Sequence, residues 1–107
     1  MGLDQYLNKR IDGEMEEVEY WRKNNQLQGW FERNYNQENC VPTPITKELV
    51  DKLLDDLETK NLPTTEGFFY GSFFLEPDEY EELIDIFTKV RQDIIDNNAE
   101  YEYNCWY

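Results

Sequence analysis

Carboxylates are the side chains in this sequence that could take part in the widest range of chemistry, because histidine is absent and cysteine is scarce. The 107 residues include 24 Asp and Glu, 10 Lys and Arg, two Cys and no His. The commonest general base is therefore missing, and so are the Ser- or Cys-based dyads and triads that depend on it. No Gly-rich phosphate loop or Cys-x-x-Cys zinc pair occurs, and the carboxylates are too numerous for spacing to select one catalytic pair. The sequence predicts a protein that is not an enzyme and that uses no cofactor or metal.

The excess of negative charge is the strongest compositional feature. The formal net charge is −14, so the chain lacks the clustered Lys and Arg that direct binding to a nucleic-acid backbone needs. Carboxylates three or four residues apart on a helix lie about 5–6 Å apart, and rows of them could imitate a polyanion. We expect such faces to bind a basic partner protein that itself binds nucleic acid; the alternative is that they only keep the protein soluble. The candidate partner-binding residues are Asp51, Asp55, Glu58, Asp78, Glu79, Glu81, Glu82 and Asp85.

Two other segments could together hold a nucleotide or another small anion. Residues 20–25 combine aromatic, cationic and amide side chains, and residues 63–72 combine glycines and hydroxyl groups with an aromatic run, which is otherwise expected to belong to the core. Arg and Lys would pair with the anion, and an aromatic ring would stack on a base. The alternative interpretation is that Trp21 belongs to the core and that Arg22 and Lys23 offset neighbouring carboxylates. The candidate ligand-binding residues are Tyr20, Trp21, Arg22, Lys23, Asn25, Thr64, Gly67 and Ser72.

These candidates must be positioned by regular elements, and apolar periodicity predicts three helices. The first covers about residues 16–35, although only its second half has clean helical spacing. The second covers about residues 46–60, with Thr46 as its N-cap and a leucine-rich stripe. The third covers about residues 77–96, with Pro77 at its first position and acidic residues in its first turns.

The two ends of the chain are predicted to be strands that pair with each other. Residues 2–7 and 101–107 both alternate weakly between apolar and polar residues. Residues 36–44 form a predicted extended loop, and the aromatic run at residues 68–74 favours a short strand or a structured loop. We therefore expect one compact acidic α+β domain over residues 1–107, with about three helices packed on a small sheet or ribbon formed by the terminal segments. An all-α three-helix bundle is the alternative.

The N-terminal residues have neither a basic region nor an apolar run, so they do not resemble a signal peptide. We expect a cytoplasmic protein without a membrane span, since no stretch of about 20 apolar residues occurs. Cys40 and Cys105 are then expected to be reduced thiols, and a disulfide is the alternative for a secreted chain.

Three blocks together carry a resemblance to a known group of proteins. They are Met1-Gly2-Leu3-Asp4-x-Tyr6-Leu7, Val18-x-Tyr20-Trp21-Arg22-Lys23-x-Asn25 running to Trp30-Phe31, and Leu62-Pro63-Thr64-x-x-Gly67-Phe68-Phe69-x-Gly71-Ser72. In this combination the sequence resembles small phage and prophage proteins of unknown function. The resemblance implies a phage accessory protein that acts in the cytoplasm of the host cell, and it assigns no role to any residue.

The charge and the resemblance together predict a counter-defence inhibitor. It would bind a nucleic-acid-handling host effector, such as a CRISPR or restriction complex, through DNA-mimicking acidic surfaces. A module that sequesters a small nucleotide or anionic ligand is the first alternative. A structural phage protein that self-associates through its aromatic ends is the second.

Overall fold

The structure, a computed structural model, describes residues 2–62 and 75–107. Within these ranges three helices pack on one face of a four-stranded antiparallel sheet, which confirms the predicted α+β class. The elements in chain order are β1 (Asp4–Ile11), β2 (Glu14–Arg22), α1 (Asn25–Tyr35), β3 (Thr43–Ile45), α2 (Lys47–Glu58), α3 (Pro77–Asn97) and β4 (Tyr101–Trp106). The strand order is β2-β1-β4-β3.

The N- and C-terminal strands pair with each other, as the sequence predicts, and they form the centre of the sheet. β1 and β4 pair over their length, from Asp4 opposite Trp106 to Lys9 opposite Tyr101. Because successive side chains of a strand point to opposite faces, Leu3 and Leu7 enter the core under the helices together with Tyr103. The ring of Tyr103 stacks on Phe31 of α1, with ring centroids 3.9 Å apart.

The helix predicted from residue 16 to residue 35 is wrong in its N-terminal half, where the structure has strand β2. β1 and β2 form a hairpin through Asp12 and Gly13, whose φ angles are 53° and 85°. Positive φ at both loop residues is the pattern of a type I′ turn, whose twist matches that of paired strands. The Asp-Gly turn thus directs the following residues back along β1 as a paired strand. Because these residues have only weak helical spacing, a helix there would have no continuous apolar face to bury.

Helix α1 begins only after Asn24, whose side-chain Oδ1 accepts a hydrogen bond of 3.2 Å from the backbone nitrogen of Leu27. It ends at Asn36, which adopts the left-handed conformation with φ 54°. The helix is buried from its first residue, and the indole Nε1 of Trp30 donates a hydrogen bond of 2.7 Å to Asp56 of α2. Burial against the sheet and α2 therefore compensates for its short length.

The other two helices match the prediction closely. The hydroxyl of Thr46 caps α2 by accepting a hydrogen bond of 3.1 Å from the nitrogen of Leu49. Helix α3 starts with Pro77 at its first position, and Glu76 and Glu79 form a capping box around that end. Because α2 and α3 pack against each other and the sheet, most of their acidic residues are left on the outer surface.

The segment expected to be an extended loop contains the short edge strand β3. Pro44 is tolerated there because an edge strand needs ladder hydrogen bonds on one side only. The preceding turn brings Cys40 to the end of β4, where its backbone nitrogen donates a hydrogen bond of 2.8 Å to the carbonyl of Cys105. Both thiols are free, with Cys40 exposed and Cys105 buried. The expectation for residues 68–74 lies outside the described residues.

Candidate functional site

The N-terminal half of α3 carries a row of exposed carboxylates. Asp78, Glu81, Glu82 and Asp85 are exposed and follow each other at helical spacing. Glu79 differs, because its Oε1 accepts a hydrogen bond of 3.0 Å from the backbone nitrogen of Glu76 and so serves the capping box. We call the exposed set of four the α3 acidic face.

One cation lies close to this face, and it is held loosely. The Lys89 Nζ is 3.1 Å from the Asp85 Oδ2, and both side chains are largely exposed, at 77% and 68%. An exposed pair one helical turn apart contributes only about 0.3–0.5 kcal/mol, so an incoming cation can replace Lys89 at small cost. The α3 acidic face therefore remains available to a basic partner.

The acidic residues predicted on α2 are not equivalent in the structure. Asp51 accepts a hydrogen bond of 2.8 Å from Lys47 and one of 2.5 Å from Arg91 of α3. These two bonds lower the pKa of Asp51, and the bond from Lys47 has the larger effect. Its charge is balanced by two cations, so Asp51 links α2 to α3, whereas Asp55 and Glu58 are exposed.

The aromatic and cationic candidates of β2 are divided between the two faces of the sheet. Trp21 faces the helices and stacks on Phe87, with ring centroids 6.1 Å apart. Tyr20 lies on the opposite face, where its hydroxyl donates a hydrogen bond to Asp4. This bond and partial desolvation raise the pKa of Tyr20. A strand that alternates its side chains cannot aim these neighbouring rings into one pocket.

The remaining ligand candidates do not complete such a pocket either. Arg22 and Lys23 are exposed at the end of β2, and Asn25 is buried at the start of α1. The other predicted members, Thr64, Gly67 and Ser72, lie outside the described residues.

Two glutamine side chains, Gln5 of β1 and Gln28 of α1, are engaged in the core. Nε2 of Gln5 donates to the carbonyl of Asn24 at 3.0 Å and to the hydroxyl of Tyr103 at 2.8 Å. The Tyr103 hydroxyl in turn donates a hydrogen bond of 2.6 Å to Gln28. We call these linked groups the buried amide network. A polar core cluster of this kind needs all its partners present, since an unpaired buried polar group is costly.

A cleft that the sequence did not predict lies between β2 and α3. It has a volume of about 320 Å³, and we call it the β2–α3 cleft. Its lining residues are Leu7, Val18, Glu19, Glu82, Asp85, Ile86, Lys89, Val90 and Tyr101. Apolar side chains and a tyrosine ring therefore share this cleft with three carboxylates, two of which belong to the α3 acidic face.

The C-terminal half of α3 is fastened to the sheet beside this cleft. Asp93 accepts a hydrogen bond of 2.7 Å from the hydroxyl of Tyr101 and forms an ion pair of 2.6 Å with Lys9. The hydrogen bonds from Lys9, Tyr101 and Asn97 lower the pKa of Asp93 to about 2. Burial and the bond to Asp93 raise the pKa of Tyr101. Both pKa shifts favour a charged Asp93 next to a neutral Tyr101.

Comparison with known proteins adds no relative to this description. No family model, curated protein or solved structure matches the chain. Among residues 2–62 and 75–107, no helix is long and apolar enough to cross a membrane. The same ranges hold no group of three or more potential His, Cys, Asp or Glu ligands arranged to bind a metal ion.

Proposed function

We propose that this chain is a non-enzymatic binding protein whose acidic surface occupies the basic, nucleic-acid-binding groove of a partner protein. The α3 acidic face is the observation that carries this proposal. Its carboxylates repeat along a rigid helix at about 5–6 Å, which gives a basic groove a regular line of negative charge to bind.

The balance of charge across the surface supports this proposal. Among the described residues, five ion pairs engage four carboxylates: Asp51, Asp85, Asp93 and Glu100. Most of the carboxylates in these ranges therefore take no part in these ion pairs, and they account for the strongly negative net charge of −14. Such a field accelerates encounter with a basic surface and raises affinity at low ionic strength.

The resemblance to small phage and prophage proteins supports the choice of partner class. An accessory protein of a phage that imitates a polyanion would act on a host effector that handles nucleic acid, of the CRISPR or restriction type. Such an inhibitor would act by stoichiometric occupancy of the groove, and it would work inside the host cytoplasm without metal or cofactor.

A pull-down from host lysate at low and high salt, with mass spectrometry of the bound proteins, tests this proposal. We expect nucleic-acid-binding proteins to be retained at low salt, released at high salt, and displaced by added double-stranded DNA. The salt effect follows from screening, since the Debye length falls from about 10 Å at 0.1 M to about 3 Å at 1 M.

Matched charge reversals make the pull-down specific to the α3 acidic face. The test variant combines Asp78→Lys, Glu81→Lys and Glu82→Lys. The control variant combines Glu38→Lys, Glu48→Lys and Asp96→Lys, which are exposed acids elsewhere, and it has the same net charge. Both variants are checked for folding by circular dichroism. Capture lost only in the test variant supports the proposal, whereas equal capture by both variants, or capture that DNA does not displace, refutes it.

A further inference from the structure

We propose that the β2–α3 cleft is the docking site for a cationic amphipathic segment of the partner protein, one that presents an apolar side chain flanked by Lys or Arg. This inference rests on the proposed function for the basic character of the partner. It adds a defined apolar anchor point to a surface that would otherwise select its partner by charge alone.

A β-bulge in β2 builds this cleft. Leu7 of β1 lies opposite Glu19, whereas the next residue, Asn8, lies opposite Glu17, so Val18 is an extra residue in the pairing. In a regular strand Val18 and Glu19 would point to opposite faces. The bulge instead lets both line the same cleft, which is the kind of re-aiming that bulges provide at functional edges.

The apolar part of the cleft is only partly covered by the protein itself. Val18 is 40% exposed on edge strand β2, and Ile86 of α3 is half-buried across from it. Val90 and Leu7 close the cleft as its buried floor. Covering Val18 and Ile86 with an apolar side chain of a partner removes this surface from water, which favours binding by about 25 cal/mol for each Å² buried.

The charges around the apolar floor determine what kind of segment fits. Glu19, Glu82 and Asp85 surround it, and Lys89 is the cation in the lining, already loosely paired to Asp85. An anionic segment would place its own negative charges next to these carboxylates, and a purely apolar segment would cover them without pairing them. A Lys or Arg beside the apolar anchor would instead form ion pairs with them, so charge complementarity selects a cationic amphipathic segment.

The size of the cleft fits an anchor rather than a whole ligand. Its volume of about 320 Å³ lies at the lower end of the range found for small-molecule sites. Its lining residue Val18 is exposed on edge strand β2, so a longer chain can extend beyond the cleft there. These dimensions suit one or two side chains of a longer segment whose remaining basic residues lie along the α3 acidic face.

Titration of the intact protein with two peptides of equal charge tests this inference. One peptide is an amphipathic helix of Leu and Lys, and the other is oligolysine. Binding is measured by fluorescence anisotropy at about 0.15 M salt, where the Debye length is about 8 Å and attraction between more distant exposed charges is largely screened. We expect the Leu/Lys peptide to bind at least about tenfold more tightly, since one buried leucine-sized side chain contributes that much or more.

Variants of the cleft are compared with matched variants outside it. We expect Val18→Ser combined with Ile86→Ser to weaken binding of the Leu/Lys peptide by about tenfold. Ile95→Ser, which alters an exposed isoleucine of α3 outside the cleft, should leave binding unchanged.

The charge test pairs two double substitutions that remove the same charge. Glu19→Gln with Glu82→Gln alters the rim of the cleft, whereas Glu48→Gln with Glu58→Gln alters exposed acids of α2. A larger loss of affinity in the first pair supports the inference, and an equal loss in both overturns it.

Other outcomes also bear on the occupant. Equal binding of the two peptides overturns the inference. The proposed function is tested independently by the pull-down with the charge-reversal variants of the α3 acidic face. If the protein alone dimerises in sedimentation experiments and Val18→Ser with Ile86→Ser abolishes the dimer, the cleft binds a second copy of the chain, and the cationic segment is the wrong occupant.

Discussion

Neutralising Asp93 should destabilise the protein in a way that depends on pH. Its carboxylate joins α3 to β1 through Lys9 and to β4 through Tyr101, and Asn97 holds it from its own helix. This anchor holds α3 at the sheet beside the cleft. The substitution Asp93→Asn keeps the size of the side chain but removes the charge that all three partners stabilise.

The size of the effect follows from the pKa of Asp93. Folding lowers this pKa from 3.8 to about 2, and at 1.36 kcal/mol for each pH unit this corresponds to about 2 kcal/mol of stability at neutral pH. Solvent reaches 17% of the Asp93 side chain and 30% of the Lys9 side chain, so screening reduces the attraction between them. We expect Asp93→Asn to lower the free energy of unfolding at pH 7 by about 1–2 kcal/mol.

The pH dependence provides the sharper test. Because the folded pKa is below the unfolded one, the charged carboxylate stabilises the fold fully above the unfolded value. That contribution is lost as the pH falls toward about 2. The difference in unfolding free energy between the native sequence and Asp93→Asn should therefore be constant from pH 7 to about pH 5 and fall to about half by pH 3. Urea unfolding followed by tryptophan fluorescence measures it.

The control is Asp96→Asn on the same helix. Asp96 is exposed, and its Oδ2 accepts a hydrogen bond of 2.7 Å from Gln92, so its loss should cost only a few tenths of a kcal/mol, about the value of an exposed pair one turn apart. Both variants remove one negative charge from the net charge of −14, and comparing them removes the general effect of charge. An Asp93→Asn effect that equals the control, or that stays constant down to pH 3, would refute this account of the anchor.

Three further predictions concern the core, a helix terminus and the thiols. Tyr103→Phe leaves the two glutamines of the buried amide network without their shared hydroxyl and should cost about 1–3 kcal/mol in urea unfolding; a loss below 0.5 kcal/mol, on the order of a surface change, would contradict the network. Thr46→Ala removes the hydrogen bond to Leu49 and should cost about 1 kcal/mol by the same assay, whereas Thr46→Ser should restore it. A thiol reagent should modify Cys40 rapidly in the folded protein and Cys105 only on unfolding, because Cys105 is buried and burial raises the pKa of its thiol; equal rates would show that the end of β4 opens readily.

Local signals in the sequence were sufficient for the elements that depend on short-range chemistry. The leucine stripe of α2, its Thr46 cap and the Pro77 start of α3 each act within one or two helical turns. The composition likewise fixed the negative charge, and helical spacing predicted the α3 acidic face. The ends of the chain were also recognisable as strands, because their alternation is a property of the segment itself.

The site depends on information that no short segment contains. Helical spacing misassigned residues 16–22, because the hairpin depends on the Asp12-Gly13 turn together with pairing to β1. The backbone hydrogen bonds of β2 are made with β1, a partner that helical spacing within one segment does not consider. An alternating pattern after an Asp-Gly turn was the signal that could have predicted β2. No sequence signal places the bulge, since it is defined by the register between two strands.

The sequence by itself therefore determined that this protein has an acidic, helix-presented surface and a core able to support it. The tertiary structure decided which carboxylates remain available for binding. It paired Asp51 with two cations and Asp93 with Lys9, and it placed Glu19 beside Glu82 across the β2–α3 cleft. The physical reason is that charge is a property of each residue, whereas its neutralisation or exposure depends on residues that only packing brings together.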